Sequence, residues 1–119
     1  MKINVELEVN NTNIVEGGKA YSMYAVNYYK SNCYENDKNY NEMFLKSQER
    51  YANELLKARG FIFLNEIYNM LGCPVTKAGQ VVGWMLNSDI GDGYIKFEID
   101  GDIIDFNVDG MILDKIEEA

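Results

Sequence analysis

The stretch from Asp37 to Arg59 constrains this chain most, because Tyr40, Phe44, Ser47 or Gln48, Tyr51, Leu55 and Ala58 recur at intervals of three and four. That spacing is the stripe of an amphipathic helix. Glu42 precedes Lys46 and Arg50 precedes Glu54 by four residues on the polar side, each pair worth about 0.2–0.5 kcal/mol. Asn36 or Asp37 can cap the start, and Gly60 can take the left-handed position at the end. A helix with one apolar stripe must bury it against a second layer, so the rest of the chain has to supply that layer.

After Gly60, "FIFLNEIYNMLGCP" predicts a short helix over about 65–71, with Asn65 as a cap, Gly72 ending it and Pro74 preventing resumption. From Gln80 onward "QVVGWML", "YIKFEI", "DIIDFNV" and "MILDKI" are separated by turn residues, the pattern of an antiparallel meander of three or four strands. With Asp100-Gly101 as the two-residue turn, Phe97 faces Ile104 and Ile95 faces Phe106, so the large apolar pairs share one face. With Asp109-Gly110 as the next turn, Asp105 stands opposite Asp114, and Lys96 lies beyond Asp105. At the N-terminus "KINVELEV" (2–9) alternates as a half-buried strand, and "KAYSMYAVNYYKS" places tyrosines at helical spacing. The expected fold is therefore α+β: an N-terminal strand and two or three helices packed on the C-terminal meander, in one domain spanning 1–119. Phe44, Tyr51 and Leu55 should meet Trp84, Phe97 and Phe106 in its core, and Tyr40 also reads as core.

The chain has no histidine, which removes imidazole acid–base chemistry and the commonest transition-metal ligand. It has neither a P-loop nor a dinucleotide fingerprint, and its aspartates lack the ligand series of a calcium-binding loop. No cofactor or metal is expected, and the protein is not expected to be an enzyme. Cys33 and Cys73, without a secretory signal, read as free thiols. No apolar run is long enough to span a bilayer, so a cytoplasmic protein is expected.

The net charge is −8, and all of it sits in the second half: residues 61–119 carry three Lys/Arg against eleven Asp/Glu. An acidic surface repels phosphate backbones, which argues against direct nucleic-acid binding. Most of the aspartates belong to turns. Those left for a partner surface are Asp102, Asp105 and Asp114 with Glu98, and the aromatic candidates beside them are Tyr94, Tyr28 and Tyr29.

The segments "NYNEMFLKSQERYANELLKARG", "FLNEIYNMLG", "TKAGQVVGWMLN" and "DFNVDGMILDKI" together resemble an uncharacterised family of small proteins from phages and prophages of low-GC Gram-positive bacteria. The resemblance covers about residues 24–116 and implies a mobile-element origin, to which the Asn-, Tyr-, Lys- and Ile-rich composition of an AT-rich genome is suited. It assigns no activity and no site. Family members often carry a membrane segment ahead of this region, where this chain has its alternating strand.

The leading expectation is a non-catalytic protein-binding module, an anti-CRISPR-like or similar acidic inhibitor of a host defence or nucleic-acid-binding protein. A self-associating virion or assembly component is the alternative. A metal-dependent carboxylate enzyme using Asp105, Asp114 and Glu98 ranks last.

Overall fold

The computed structural model describes residues 11, 13–16, 18–87 and 89–118, so the strand expected over 2–9 lies outside the described residues. The described chain opens with a small antiparallel hairpin of β1 (Val15–Glu16) and β2 (Lys19–Ala20), followed by β3 (Val26–Asn27) and one 3-10 turn over Tyr28–Lys30. These replace the helix expected from the tyrosine spacing. Side-chain bonding explains the difference: Ser22 donates from both its backbone N–H and its hydroxyl to Asp105, holding the segment against the sheet as Ser side chains do when they compete with helical bonding.

The long helix α1 (Lys38–Arg59) ends as its sequence predicts. Asp37 caps it by accepting from the Tyr40 N–H at 3.1 Å, and Gly60, at φ 88°, donates its N–H to the Leu56 carbonyl at 2.7 Å. Its buried face, however, is not the aromatic stripe. Asn41, Leu45, Ala52 and Leu56 are buried, whereas Tyr40 and Tyr51 are 48% and 52% exposed. Phe44 and Leu55 only flank the core. A one-residue offset turns a helix by about 100°, and polar residues disguise the true inner face. The Asn41 amide both accepts from the Glu35 N–H and donates to the Glu35 carbonyl, so it is buried without an orphaned group.

From α1 the chain passes directly into β4 (Phe61–Phe63), α2 (Leu64–Met70), a 3-10 turn over Ala78–Gln80 and β5 (Val82–Met85). β4 and β5 are antiparallel, with Ile62 opposite Trp84 and Phe63 opposite Gly83. Gly83 is obligatory there, because a Cβ would stand 2.0 Å from the Ile62 carbonyl oxygen. Asn65 lies inside α2 rather than capping it, and Glu66 instead accepts from the Phe63 N–H at 3.0 Å.

β6 (Phe97–Asp100) and β7 (Ile103–Phe106) form the expected hairpin in a different register. Phe97 pairs with Phe106 and Asp100 with Ile103, so the turn is Gly101-Asp102. Gly101 has φ 62° and no non-glycine residue has positive φ among those described, the pattern of a type II′ turn rather than I′. The two registers differ by two residues, which leaves every side chain on its own face. Alternation alone could not separate them.

β8 (Gly110–Met111) pairs with β5, not with β7, and α3 (Leu113–Glu118) occupies the place of the expected last strand. Apart from the β1–β2 hairpin, the strands therefore divide between two three-stranded antiparallel sheets, ordered β3-β7-β6 and β4-β5-β8, rather than running as one meander. The fold class is α+β. Trp84, Tyr68, Leu56, Ile62, Ile95 and Ile112 are fully buried in the core.

Candidate functional site

The start of α1 faces the tip of the β6–β7 hairpin across a cavity of about 420 Å³. The 3-10 turn after β3 brings Tyr28 to its wall and is tied to the hairpin turn by the Tyr28 N–H, which donates to the Asp102 carbonyl at 2.6 Å. Tyr34 meets Tyr28 edge to face, with ring centroids 5.9 Å apart. Leu45, Ile99 and Ile104 complete the apolar part of the lining, and Asp37, Lys38, Glu42 and Asp102 supply its charges. Three carboxylates thus oppose one ammonium.

Tyr28 is 3% exposed, and its hydroxyl has no hydrogen-bond partner among the described residues. Burial pushes this hydroxyl above its ordinary pKa, with nearby Cys33 and Cys73 adding to the shift, so it stays protonated and can both donate and accept. Two polar groups of the lining are already engaged. The Asn41 amide serves the Glu35 backbone and the Asp37 carboxylate caps the helix. That cap meets one N–H at the helix start, that of Tyr40, and the three carboxylates of the lining against one ammonium favour a cation over an anion.

Of the seven residues singled out in the sequence, Tyr28 and Asp102 come together at this cavity and the other five do not line it. Asp105 is an internal acceptor for Ser22 and lies across the ladder from Glu98. Glu98 is exposed and stands 3.6 Å from the Lys96 ammonium. Asp114 is exposed in the first turn of α3, not opposite Asp105. Tyr94 and Tyr29 are half exposed, and the Lys30 ammonium lies over the Tyr29 ring at 5.7 Å. Asp37, Glu42 and Lys38 were missed as site residues, and the one available signal was the cap position of Asp37, which places its neighbours at a helix mouth.

Two further groups bear on chemistry. Asp109, expected in a two-residue turn, accepts from the Met85 N–H at 3.0 Å, and burial raises its pKa against the lowering effect of that bond. The Cys73 thiol is buried, which pushes it up to about 12 and makes it a poor nucleophile. No group of three or more metal-ligating side chains occurs among the described residues. Nor is any described helix long and apolar enough to cross a membrane.

No curated protein and no solved structure matches this chain. Residues 3–116 match the family of unknown function DUF6353, and the chain belongs to that family.

Proposed function

We propose that the protein is a non-catalytic protein-binding module that presents the cavity at the start of α1, with its acidic rim, to a basic partner. The observation that supports this reading is the charge of the lining, with Asp37, Glu42 and Asp102 opposing Lys38 around an apolar floor, on a chain of net charge −8. Such a surface attracts a basic groove at long range and repels phosphate. On a phage or other mobile element the fitting partner is a host nucleic-acid-binding or defence protein, met in the host cytoplasm and blocked by occupation of its groove.

The test is to immobilise the protein, pass a lysate of a low-GC Gram-positive host over it at low salt, and challenge what is retained with duplex DNA and RNA. One basic nucleic-acid-binding protein, released by nucleic acid, is expected. Retention of nothing, or only of proteins that nucleic acid does not release, overturns the reading.

A second reading, self-association, is favoured by one observation: Tyr40, Met43 and Tyr51 are exposed on α1. Sedimentation velocity over a wide concentration range decides it, a constant monomer opposing self-association and a growing species supporting it.

A further inference from the structure

We propose that an extended basic segment of a partner protein adds as a strand to the open edge of β6 at Ile99. The inference rests on the protein-binding reading and deepens it, by naming the backbone groups that bind and the conformation of what is bound.

The β6 edge is served along part of its length, and then the service stops. Hydrogen-bonded and non-bonded pairs alternate along an antiparallel ladder. Ile104 pairs with Val26 of β3, and the Asp102 carbonyl accepts from the Tyr28 N–H, so these residues turn their backbone groups toward β3. Ile99, opposite Ile104, therefore turns its own groups to the other edge, as Phe97 does. There α1 stands in for a strand: Asn53 binds the Ile95 N–H and carbonyl, and Glu49 accepts from the Phe97 N–H. Four residues of helix rise about 6 Å and two of strand about 6.8 Å, so helix and edge run in step. The next position along α1 is Leu45, whose side chain has nothing to offer a backbone group. The Ile99 N–H and carbonyl are left without a partner among the described residues.

Space opens at the same point. Ile99 is 38% exposed, and it lines both the cavity beside α1 and a second hollow of about 320 Å³ on the other face of β6. An unpaired strand edge takes an extended peptide through main-chain bonds, and alternate side chains of the peptide fall on opposite faces. The faces decide the occupant. A residue opposite Ile99 enters the cavity against Leu45 and Ile104 and is apolar, while its two neighbours lie on the face of Glu98, Asp100 and Asp105 and are basic. A second copy is disfavoured, because antiparallel pairing of β6 with β6 sets Glu98 against the acids of the other strand, and like charges across a ladder repel.

The probe is the capped peptide Lys-Val-Lys-Val-Lys, titrated into the isotopically labelled full chain and followed by amide shifts and amide hydrogen exchange. The control is the same peptide N-methylated at its three central residues, which keeps the charge and removes the donors of both edges. In the free protein the Ile99 amide should exchange faster than those of Phe97 and Asp100. The peptide should slow that exchange and shift Ile99, Gly101 and Asp102, and the methylated peptide should bind about tenfold more weakly, the loss of backbone bonds. Ile99→Pro, which deletes the outward N–H and is tolerated on an edge strand, should abolish the shifts while the Phe97–Phe106 pairing persists.

An Ile99 amide already as slow as its neighbours in the free protein would overturn the proposal, as would a peptide that causes no shift. Equal binding of the two peptides would also overturn it, leaving attraction by charge alone, and this comparison decides the matter even where Ile99→Pro fails to fold. Partner capture from lysate does not depend on strand addition, so it tests the broader reading separately.

Discussion

At the scale of single residues, asparagine is the hidden framework of this protein. Asn53 on α1 accepts from the Ile95 N–H at 2.8 Å and donates to the Ile95 carbonyl at 2.9 Å, the pairing a strand would make. Asn65 does the same for Thr76, and Asn41 for Glu35. Asn107 accepts from the Trp84 indole and the Lys96 N–H while donating to the Tyr94 carbonyl. Each amide satisfies backbone groups where no strand passes, Asn41 from a buried position and the other three from half-buried ones, and such bonds cost stability when lost. Asn53→Ala and Asn107→Ala should each cost about 1–3 kcal/mol in urea unfolding; a change within about 0.5 kcal/mol, usual for plain surface sites, would contradict the role. None of this was legible beforehand, because an Asn-rich composition reads as a property of the genome and no spacing marks which amides turn inward. Glu66 gives a pH signature. Burial alone would raise its pKa, but the two Arg59 N–H bonds at 2.7 and 2.9 Å and the Phe63 N–H outweigh it and hold the carboxyl below 4.5. Its stabilising effect is therefore complete above the unfolded value of 4.5 and is lost as pH falls through the lower folded value. Glu66→Gln should destabilise at neutral pH and converge on the wild type in acid, as urea midpoints across that range would show; a gap independent of pH would contradict it.

At the scale of elements, ends were easier to read than faces. The limits of α1 follow from Asp37 and Gly60, whose chemistry is local. Its orientation follows from what Glu49 and Asn53 bind across the fold, Glu49 accepting from the Phe97 N–H and Asn53 pairing with the Ile95 backbone, and no periodicity in hydrophobicity reports that. Leu56→Ala should cost about 2–5 kcal/mol, as core truncations do, whereas Tyr51→Ser should change stability by about 0.5 kcal/mol or less. The reverse ranking would mean that the aromatic stripe faces inward after all. The hairpin register was missed for a related reason: alternation is preserved by a two-residue shift, and Asp-Gly and Gly-Asp are both acceptable turns. Nuclear Overhauser contacts between the Phe97 and Phe106 α protons should be present, and contacts joining Phe97 to Ile104 in their place would contradict the register. The run "MILDKI" was ambiguous because Ile112, Leu113 and Ile116 satisfy a helical period as well as a strand's, and its helix is fixed by Ile112 binding the Val81 carbonyl.

At the scale of the whole molecule, the α+β class was legible from helix and strand patterning, but the division into two sheets was not. β5 pairs on one side with the strand that follows α1 and on the other with a strand near the C-terminus, so a linear reading of consecutive hairpins could not reach it. The acids of the cavity come from both halves of the chain, so the charge asymmetry of the sequence does not locate them. Asp102, on the C-terminal hairpin, faces Asp37 and Glu42 from the N-terminal half across one cavity, although they are distant in sequence. Neutralising two of them should barely affect folding, since Asp102 and Glu42 are exposed. The most direct measurement is the affinity for the captured basic partner by calorimetry, at low and moderate salt, for the wild type and for Glu42→Gln/Asp102→Asn. Binding that weakens with salt in the wild type, and is at least about tenfold weaker in the double variant, is the predicted result. Equal affinities for the two proteins, insensitive to salt, would contradict the claim that this cavity and its acids form the binding surface.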